Sequence, residues 1–189
     1  MSNKNLWILV GIPGSGKTWF AKHKLMTGLG WRYISRDEIR FSIINEDDDY
    51  FSKEKEVFQK FIEKIKYAFE EDGVFNVIAD ATHLNWASRR KLINALGIKN
   101  INIIPVVVES NIEDSIKRNE EREGRAVVPR FALQRMAASL TDPKTDEFNY
   151  TAIMYVDNSI HHYTEKPKFM YHKNDIRIKE IPIKDVLKK

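Results

Sequence analysis

Leu6-Trp7-Ile8-Leu9-Val10-Gly11-Ile12-Pro13-Gly14-Ser15-Gly16-Lys17-Thr18 is the stretch whose reading decides the fold. Leu6 to Val10 is apolar at every position, as expected of a strand buried on both faces. Gly11 to Thr18 is a full match to G-x-x-x-x-G-K-[ST], and a helix is expected from Lys17. A glycine-rich turn between strand and helix lets backbone N–H groups curl around a polyphosphate at the positive end of a helix dipole. Gly11, Gly14 and Gly16 permit the close approach, and Ile12, Pro13 and Ser15 complete the loop. Lys17 would reach the β- and γ-phosphates of a nucleotide, and the Thr18 hydroxyl would be a magnesium ligand. The bland reading is an ordinary strand-to-helix turn; a chance match in a chain this long has odds of roughly one in a hundred.

Outward from this stretch, short β-rich runs alternate with longer amphipathic ones, the pattern of a parallel sheet with crossover helices. Leu6–Val10, Arg32–Ser35, Phe75–Asp80, Ile101–Val108 and Ala152–Val156 read as strands. Val57, Phe58, Phe61, Ile62, Ile65, Ala68 and Phe69 recur at helical spacing behind a cap at Ser52, with Gly73 beyond the last turn. Further helices are expected from about Asp37, after Asn85 as cap, from about Ile112 to Glu123, and after Pro129. Glu46-Asp47-Asp48-Asp49 reads as a solvated acidic loop.

With 189 residues, the chain has the length of one domain with a real core. Hydrophobic residues at 42% and charged residues at 31% exclude a disordered or collagen-like polypeptide. No apolar run approaches the ~20 residues of a membrane helix, so a cytoplasmic protein without membrane contact is expected. The absence of cysteine excludes disulfide frameworks, thiolate metal sites and cysteine nucleophiles. The net charge of +4 sits in the residues from Asn158 onward, which carry eight lysines and arginines against four acids. Residues 1–157 therefore read as the domain and 158–189 as a basic C-terminal extension, in which Ile176, Ile178, Ile181 and Ile183 nearly alternate as in an added edge strand. His161, His162 and His172 are not read as a metal site, because adjacent side chains of an extended segment point to opposite faces.

A phosphate loop does not name the reaction. The sequence has no N-K-x-D guanine reader, and Asp80-Ala-Thr-His83 lacks the glycine of a D-x-x-G switch. No glutamate follows Asp80 to orient a hydrolytic water, which leaves a kinase in front. A kinase needs a carboxylate to take a proton from the attacking hydroxyl and cations to offset charge on the transferred group. In Ser35-Arg36-Asp37-Glu38-Ile39-Arg40, Asp37 is a candidate base on the ligand-facing rim of the sheet. Ser35 and Glu38 read as a capping box, and an acid in a first turn can serve the helix dipole alone. In Arg118-Asn119-Glu120-Glu121-Arg122-Glu123-Gly124-Arg125, Arg118 and Arg122 are spaced to share a helix face, and Gly124 allows a turn afterwards. Such a cluster is either a solvated helix end or a lid over phosphates; a phosphate loop in the same chain favours the lid.

These blocks, GIPGSGKT, SRDEIR, IADATHLN with Arg89-Arg90, and KRNEEREGRAVVP, taken in order over roughly Leu6 to Val156, resemble the 5′-hydroxyl polynucleotide kinases of the T4 phage type. The resemblance implies that Asp37 is the general base and that Arg40 contacts the phosphate of the acceptor strand. It implies that Arg122 is the lid arginine and that Val128 packs against the acceptor base. It places Asp80 and Thr82 beside the phosphate and metal site, with Thr82 toward the acceptor and Asp80 with Thr18 at the metal. The stretch from Arg122 to Pro129 is one residue longer than in that family, so Arg118, Arg122 and Arg125 all stand as contacts to donor phosphate. No D-x-D-G-T phosphatase motif is present, so the kinase half alone is expected.

The expectation is a three-layer α/β P-loop kinase fold, with a mostly parallel five-stranded sheet and an arginine-bearing lid at about 118–129. Its activity would be ATP- and magnesium-dependent phosphorylation of a 5′-hydroxyl DNA or RNA end, as in nucleic-acid end repair, with Asp37, Lys17 and Arg122 as the catalytic set. A small-molecule kinase of the same fold and a non-catalytic nucleotide-binding module are the alternatives.

Overall fold

The computed structural model describes residues 4–26, 28–144, 147, 148, 150 and 152–158, and the backbone of 169–170. Five strands, β1 (Asn5–Val10), β2 (Trp31–Ser35), β3 (Asn76–Asp80), β4 (Asn102–Glu109) and β5 (Ile153–Asp157), form a parallel sheet in the order β2-β3-β1-β4-β5. A two-residue strand, β6 (Phe169–Met170), pairs antiparallel on the outer edge of β5. The edge strand expected through Ile176 to Ile183, like the three C-terminal histidines, lies outside the described residues.

Period-two alternation divides the apolar strand residues between the two faces. Leu6, Ile8 and Val10 of β1, with Val77 and Ala79 of β3, point to one face. There they meet Val57, Phe61, Ile65 and Phe69 of α3 (Glu54–Glu70) and Leu92 and Leu96 of α4 (Trp86–Leu96). Leu9, Ile78, Val106 and Val108 point to the other face, against Ala21 and Leu25. Those two residues belong to a π-helical segment, Ala21–Leu25, that continues α1 (Lys17–Phe20). A third cluster of Ile12, Leu84, Ile116 and Leu133 seats α5 (Ile112–Glu120) and α6 (Arg130–Ala138) over the phosphate loop.

Three local expectations change. Ser52 is not the cap of α3: its hydroxyl donates to the Asp49 carbonyl at 2.7 Å, and the helix starts behind Lys53. The α5 helix ends at Glu120 rather than Glu123, so Arg118 and Arg122 do not lie on one continuous helix face. Only half of the capping box at α2 (Arg36–Ile43) forms. Ser35 Oγ accepts from the Glu38 amide at 3.2 Å, while the Glu38 carboxylate pairs with Lys22. The α4 helix, by contrast, has a reciprocal Asn85–Ser88 capping box and ends at Gly97 in the left-handed conformation.

Candidate active site

The carboxyl ends of β1, β2 and β3 deliver the phosphate loop, Asp37 and Asp80 to one rim of the sheet, with β1 at its centre. The loop leaves β1 with Gly11 N–H bound to Thr82 O at 3.0 Å, which fastens it to the segment after β3. Gly14 and Gly16 have φ of 81° and 94° and are closely overpacked. A Cβ at Gly14 would stand 2.1 Å from Ser115 O of α5, and one at Gly16 would stand 2.0 Å from Asn158 Nδ2.

Lys17 is buried and its ammonium donates to Ile12 O at 2.8 Å. Burial pulls its pKa down to about 8, opposed by the carboxylates of Asp80 and Asp37 and reinforced by the Arg122 guanidinium. Thr18 Oγ1 donates to Asp80 Oδ2 at 2.7 Å, and Tyr33 OH donates to the same oxygen. Burial and the Asp80 charge both push the Tyr33 phenol pKa up, so it stays protonated and a donor.

These residues fit a magnesium nucleotide. Thr18 and Asp80 place two hard oxygen donors side by side, the ligand chemistry magnesium accepts while keeping its waters. The buried Ser15 Oγ has no hydrogen-bond partner among the described residues, and it stands in the turn of the loop that would face phosphate. Thr18 and Asp80 would hold the magnesium of the nucleotide, which would supply neutralisation of charge on the terminal phosphates.

Across from the loop, Asp37 sits in the first turn of α2, exposed, and its Oδ1 accepts from Arg40 Nη1 at 2.7 Å and from Tyr50 OH at 2.8 Å. Two donors on one oxygen fix the carboxylate and leave Oδ2 without a hydrogen-bond partner among the described residues. Arg40 itself is 4% exposed: Nη1 also donates to Tyr50 OH at 2.9 Å, and Nη2 donates to Glu54 Oε2 at 2.5 Å. Its plane lies over the Tyr50 ring at 4.3 Å. Arg36 shares Glu54 through the other carboxylate oxygen. Tyr50 and Glu54 carried no motif, being 13 and 17 residues from Asp37 in a segment that reads as loop and helix start.

The arginines of the cluster separate. Arg118 is held as structure, donating to Gly14 O at 3.2 Å, Ser110 Oγ at 3.0 Å and Asn158 O at 2.8 Å. The Arg122 side chain is exposed, bonds only Ala126 O, at 3.5 Å, among the described residues, and lies near enough to Lys17 for its charge to bear on it. Arg125 turns the other way, donating to Asn45 O at 2.5 Å and lying 5.6 Å over the Phe41 ring. Val128 is set by Asn119, a buried amide that accepts from Val128 N–H at 3.0 Å and donates to Val128 O at 2.7 Å. Thr82 is half-buried at the loop's exit, where its carbonyl rather than its hydroxyl makes the contact to Gly11. Asn158, which the sequence assigns to the C-terminal extension, donates to Ser15 O at 2.8 Å and so belongs to the phosphate loop.

Below the rim, His83 has φ of 40° and bonds Leu9 O at 2.9 Å, and burial lowers its pKa to about 4, keeping it neutral. Arg89, fully buried, forms a two-bond pair with Glu147 and donates to the His83 and Thr141 carbonyls. His83 thus ties the segment after β3 to β1, and Arg89 ties the same segment to Thr141 and Glu147.

The parallel sheet, its strand order and the loop geometry define an α/β P-loop kinase fold. Residues 6–143 match the family model of an AAA domain, and the chain belongs to that family. A chain of the Pnkp1/Rnl/Hen1 RNA repair complex superposes with a TM-score of 0.63 at 24% identity, covering 74% of this chain and 45% of that one. A fungal RNA kinase gives 0.57 at 15% identity, covering 85% and 77%. A Sinorhizobium meliloti gluconokinase gives 0.50 at 18% identity, covering 84% and 85%. This chain thus spans less than half of the repair-complex chain, and the likenesses speak to the fold. No helix among the described residues is long and apolar enough to cross a membrane, and no cluster of three or more metal-ligating side chains occurs among them.

Proposed function

We propose that this protein is a kinase that transfers the γ-phosphate of ATP to the 5′-hydroxyl end of a polynucleotide. The observation that carries the proposal is the Asp37 carboxylate, exposed on the rim beside the phosphate loop and fixed through Oδ1 by Arg40 and Tyr50. A nucleotide-binding module needs no such group; a kinase needs it to accept the proton of the attacking hydroxyl. Lys17 and the loop amides would hold the donor phosphates, Thr18 and Asp80 the magnesium. Arg122 has few protein contacts and is the lid cation best able to turn onto the transferred group. Arg118 is spent on Gly14 and Asn158, and Arg125 on Asn45. The nucleic-acid acceptor draws its support from the resemblance of the SRDEIR and KRNEEREGRAVVP blocks and from the RNA-directed relatives that share the fold.

One observation favours a small-molecule kinase instead. Arg40, the residue expected on the acceptor phosphate, is buried with both terminal nitrogens engaged inside the protein. A phosphate contact there requires Arg40 to exchange one of these partners. Labelled γ-phosphate transfer from ATP to a panel of 5′-hydroxyl DNA, 5′-hydroxyl RNA, nucleoside 3′-phosphates, nucleosides and gluconate separates the readings. The polynucleotide reading predicts strands far above nucleosides and gluconate; equal or better use of the small acceptors overturns it.

A further inference from the structure

At the end of α2 and in the segment before α3 the chain carries an aromatic cluster of Phe41, Tyr50 and Phe51, of which only Tyr50 touches the candidate base among the described residues. Phe41 and Phe51 flank Tyr50 edge-on, with ring centroids 6.1 Å and 4.8 Å from it. Phe51 is 60% exposed and Phe41 37%. Contiguous exposed aromatics are costly on a free surface and mark contact sites. Two guanidinium groups face the cluster: Arg40 lies over Tyr50 and 5.8 Å from the Phe51 ring, and Arg125 lies 5.6 Å over Phe41. The cluster is continuous with the candidate base, since Tyr50 OH donates to Asp37 Oδ1 at 2.8 Å. Phe51 is therefore one aromatic ring removed from the place where an acceptor hydroxyl would lose its proton.

The acidic residues beside it sort the possible ligands. Asp48 is taken up by the Asn45 amide and Lys53, and Asp49 by the Phe51 amide, while Glu46 and Asp47 are exposed. Exposed carboxylates repel a phosphate backbone but leave a neutral ring unaffected. The chemistry that fits exposed aromatic faces, guanidinium groups and an acidic border is a nucleobase whose backbone runs away from the 46–49 loop.

We propose that Phe51, backed by Tyr50 and Phe41, is a stacking platform for the second nucleobase of a single-stranded 5′-hydroxyl acceptor. This rests on the polynucleotide reading above and adds a base subsite to it.

The test uses the full chain and 5′-hydroxyl trinucleotides with 2-aminopurine at the first or second position. The platform predicts quenching at the second position, lost in Phe51→Ala and retained in Phe51→Tyr. It also predicts that Phe51→Ala and an abasic second nucleotide each raise the acceptor KM roughly 5- to 100-fold, and that together they cost little more than either alone. Quenching at the first position with none at the second overturns the platform and leaves the polynucleotide reading standing. Failure to phosphorylate any strand overturns both. Self-association abolished by Phe51→Ala, with second-position quenching unchanged, assigns the cluster to a contact between copies of the chain and likewise overturns the platform.

Discussion

Lys17 shows how one residue couples charge to ligand. Burial holds its ammonium at a pKa of about 8, so at neutral pH it is charged and aimed at its own loop carbonyl. A bound polyphosphate raises that pKa, because it favours the charged form. ATP binding near pH 8 to 8.5 therefore takes up protons, and affinity falls as pH rises above about 8. Calorimetry in buffers of different ionisation enthalpy measures the uptake, and Lys17→Ala should abolish both it and most of the affinity. In the free protein the sign for stability is opposite to that of a paired lysine. The folded pKa lies below the unfolded one, so this group's penalty is greatest below about pH 8 and fades as pH rises to 10.5. His83 behaves similarly at lower pH. Its folded pKa of about 4 against 6.5 unfolded means that stability is lost as pH falls from 6.5 toward 4, by on the order of 3 kcal/mol at the lower limit. His83→Asn, which tolerates the positive φ, should flatten the melting temperature over that window.

At the scale of elements, α5 touches the phosphate loop so closely that Gly14 admits no side chain. A methyl group there meets a helix backbone carbonyl at 2.1 Å, at a φ of 81° that disfavours any L residue. Gly14→Ala should displace α5 or the loop, and titration with ATP should show binding lost together with a fall in melting temperature. Asn119→Ala leaves Val128's amide and carbonyl without their partner and should cost about 1–3 kcal/mol, read by denaturant melts. The strands, α3 and the phosphate loop were legible in the sequence because each is specified by neighbours in the chain: apolar alternation, helical spacing, a contiguous motif. The end of α5 was not, because Arg122 N–H turns back to Asn119 O in a local competition that charged residues do not announce. Ser52 has the residue type of a cap, but a turn at Asp49 takes its hydroxyl first. The roles of Tyr50, Asn119 and Asn158 were illegible for a different reason. Each is a tertiary contact, and Asn158 reaches Ser15 across 143 residues.

For the molecule as a whole, the phosphate loop is the joint between the sheet, α5 and the segment after β5, so nucleotide binding should be felt as global stability. ATP at about a hundred times its Kd should stabilise the fold by ~2.7 kcal/mol, a rise of about 5–11 °C in Tm for a chain of this size. Asn158→Ala should reduce that rise, as followed by thermal melts with and without ATP. The sequence alone located this joint but not what closes it, since three of its walls are Arg118, Asn158 and Ser115, none of which stands next to Gly11–Thr18 in the chain. In the proposed reaction the exposed Asp37 carboxylate serves as the base in phosphoryl transfer to a 5′-hydroxyl end. The most direct measurement of that role is the single-turnover rate of labelled γ-phosphate transfer to a saturating 5′-hydroxyl oligonucleotide by the wild type and by Asp37→Asn, with ATP affinity measured in parallel. Asp37→Asn should lose about 10² to 10⁴ in rate with ATP affinity essentially kept; transfer at a rate close to that of the wild type would rule Asp37 out as the base.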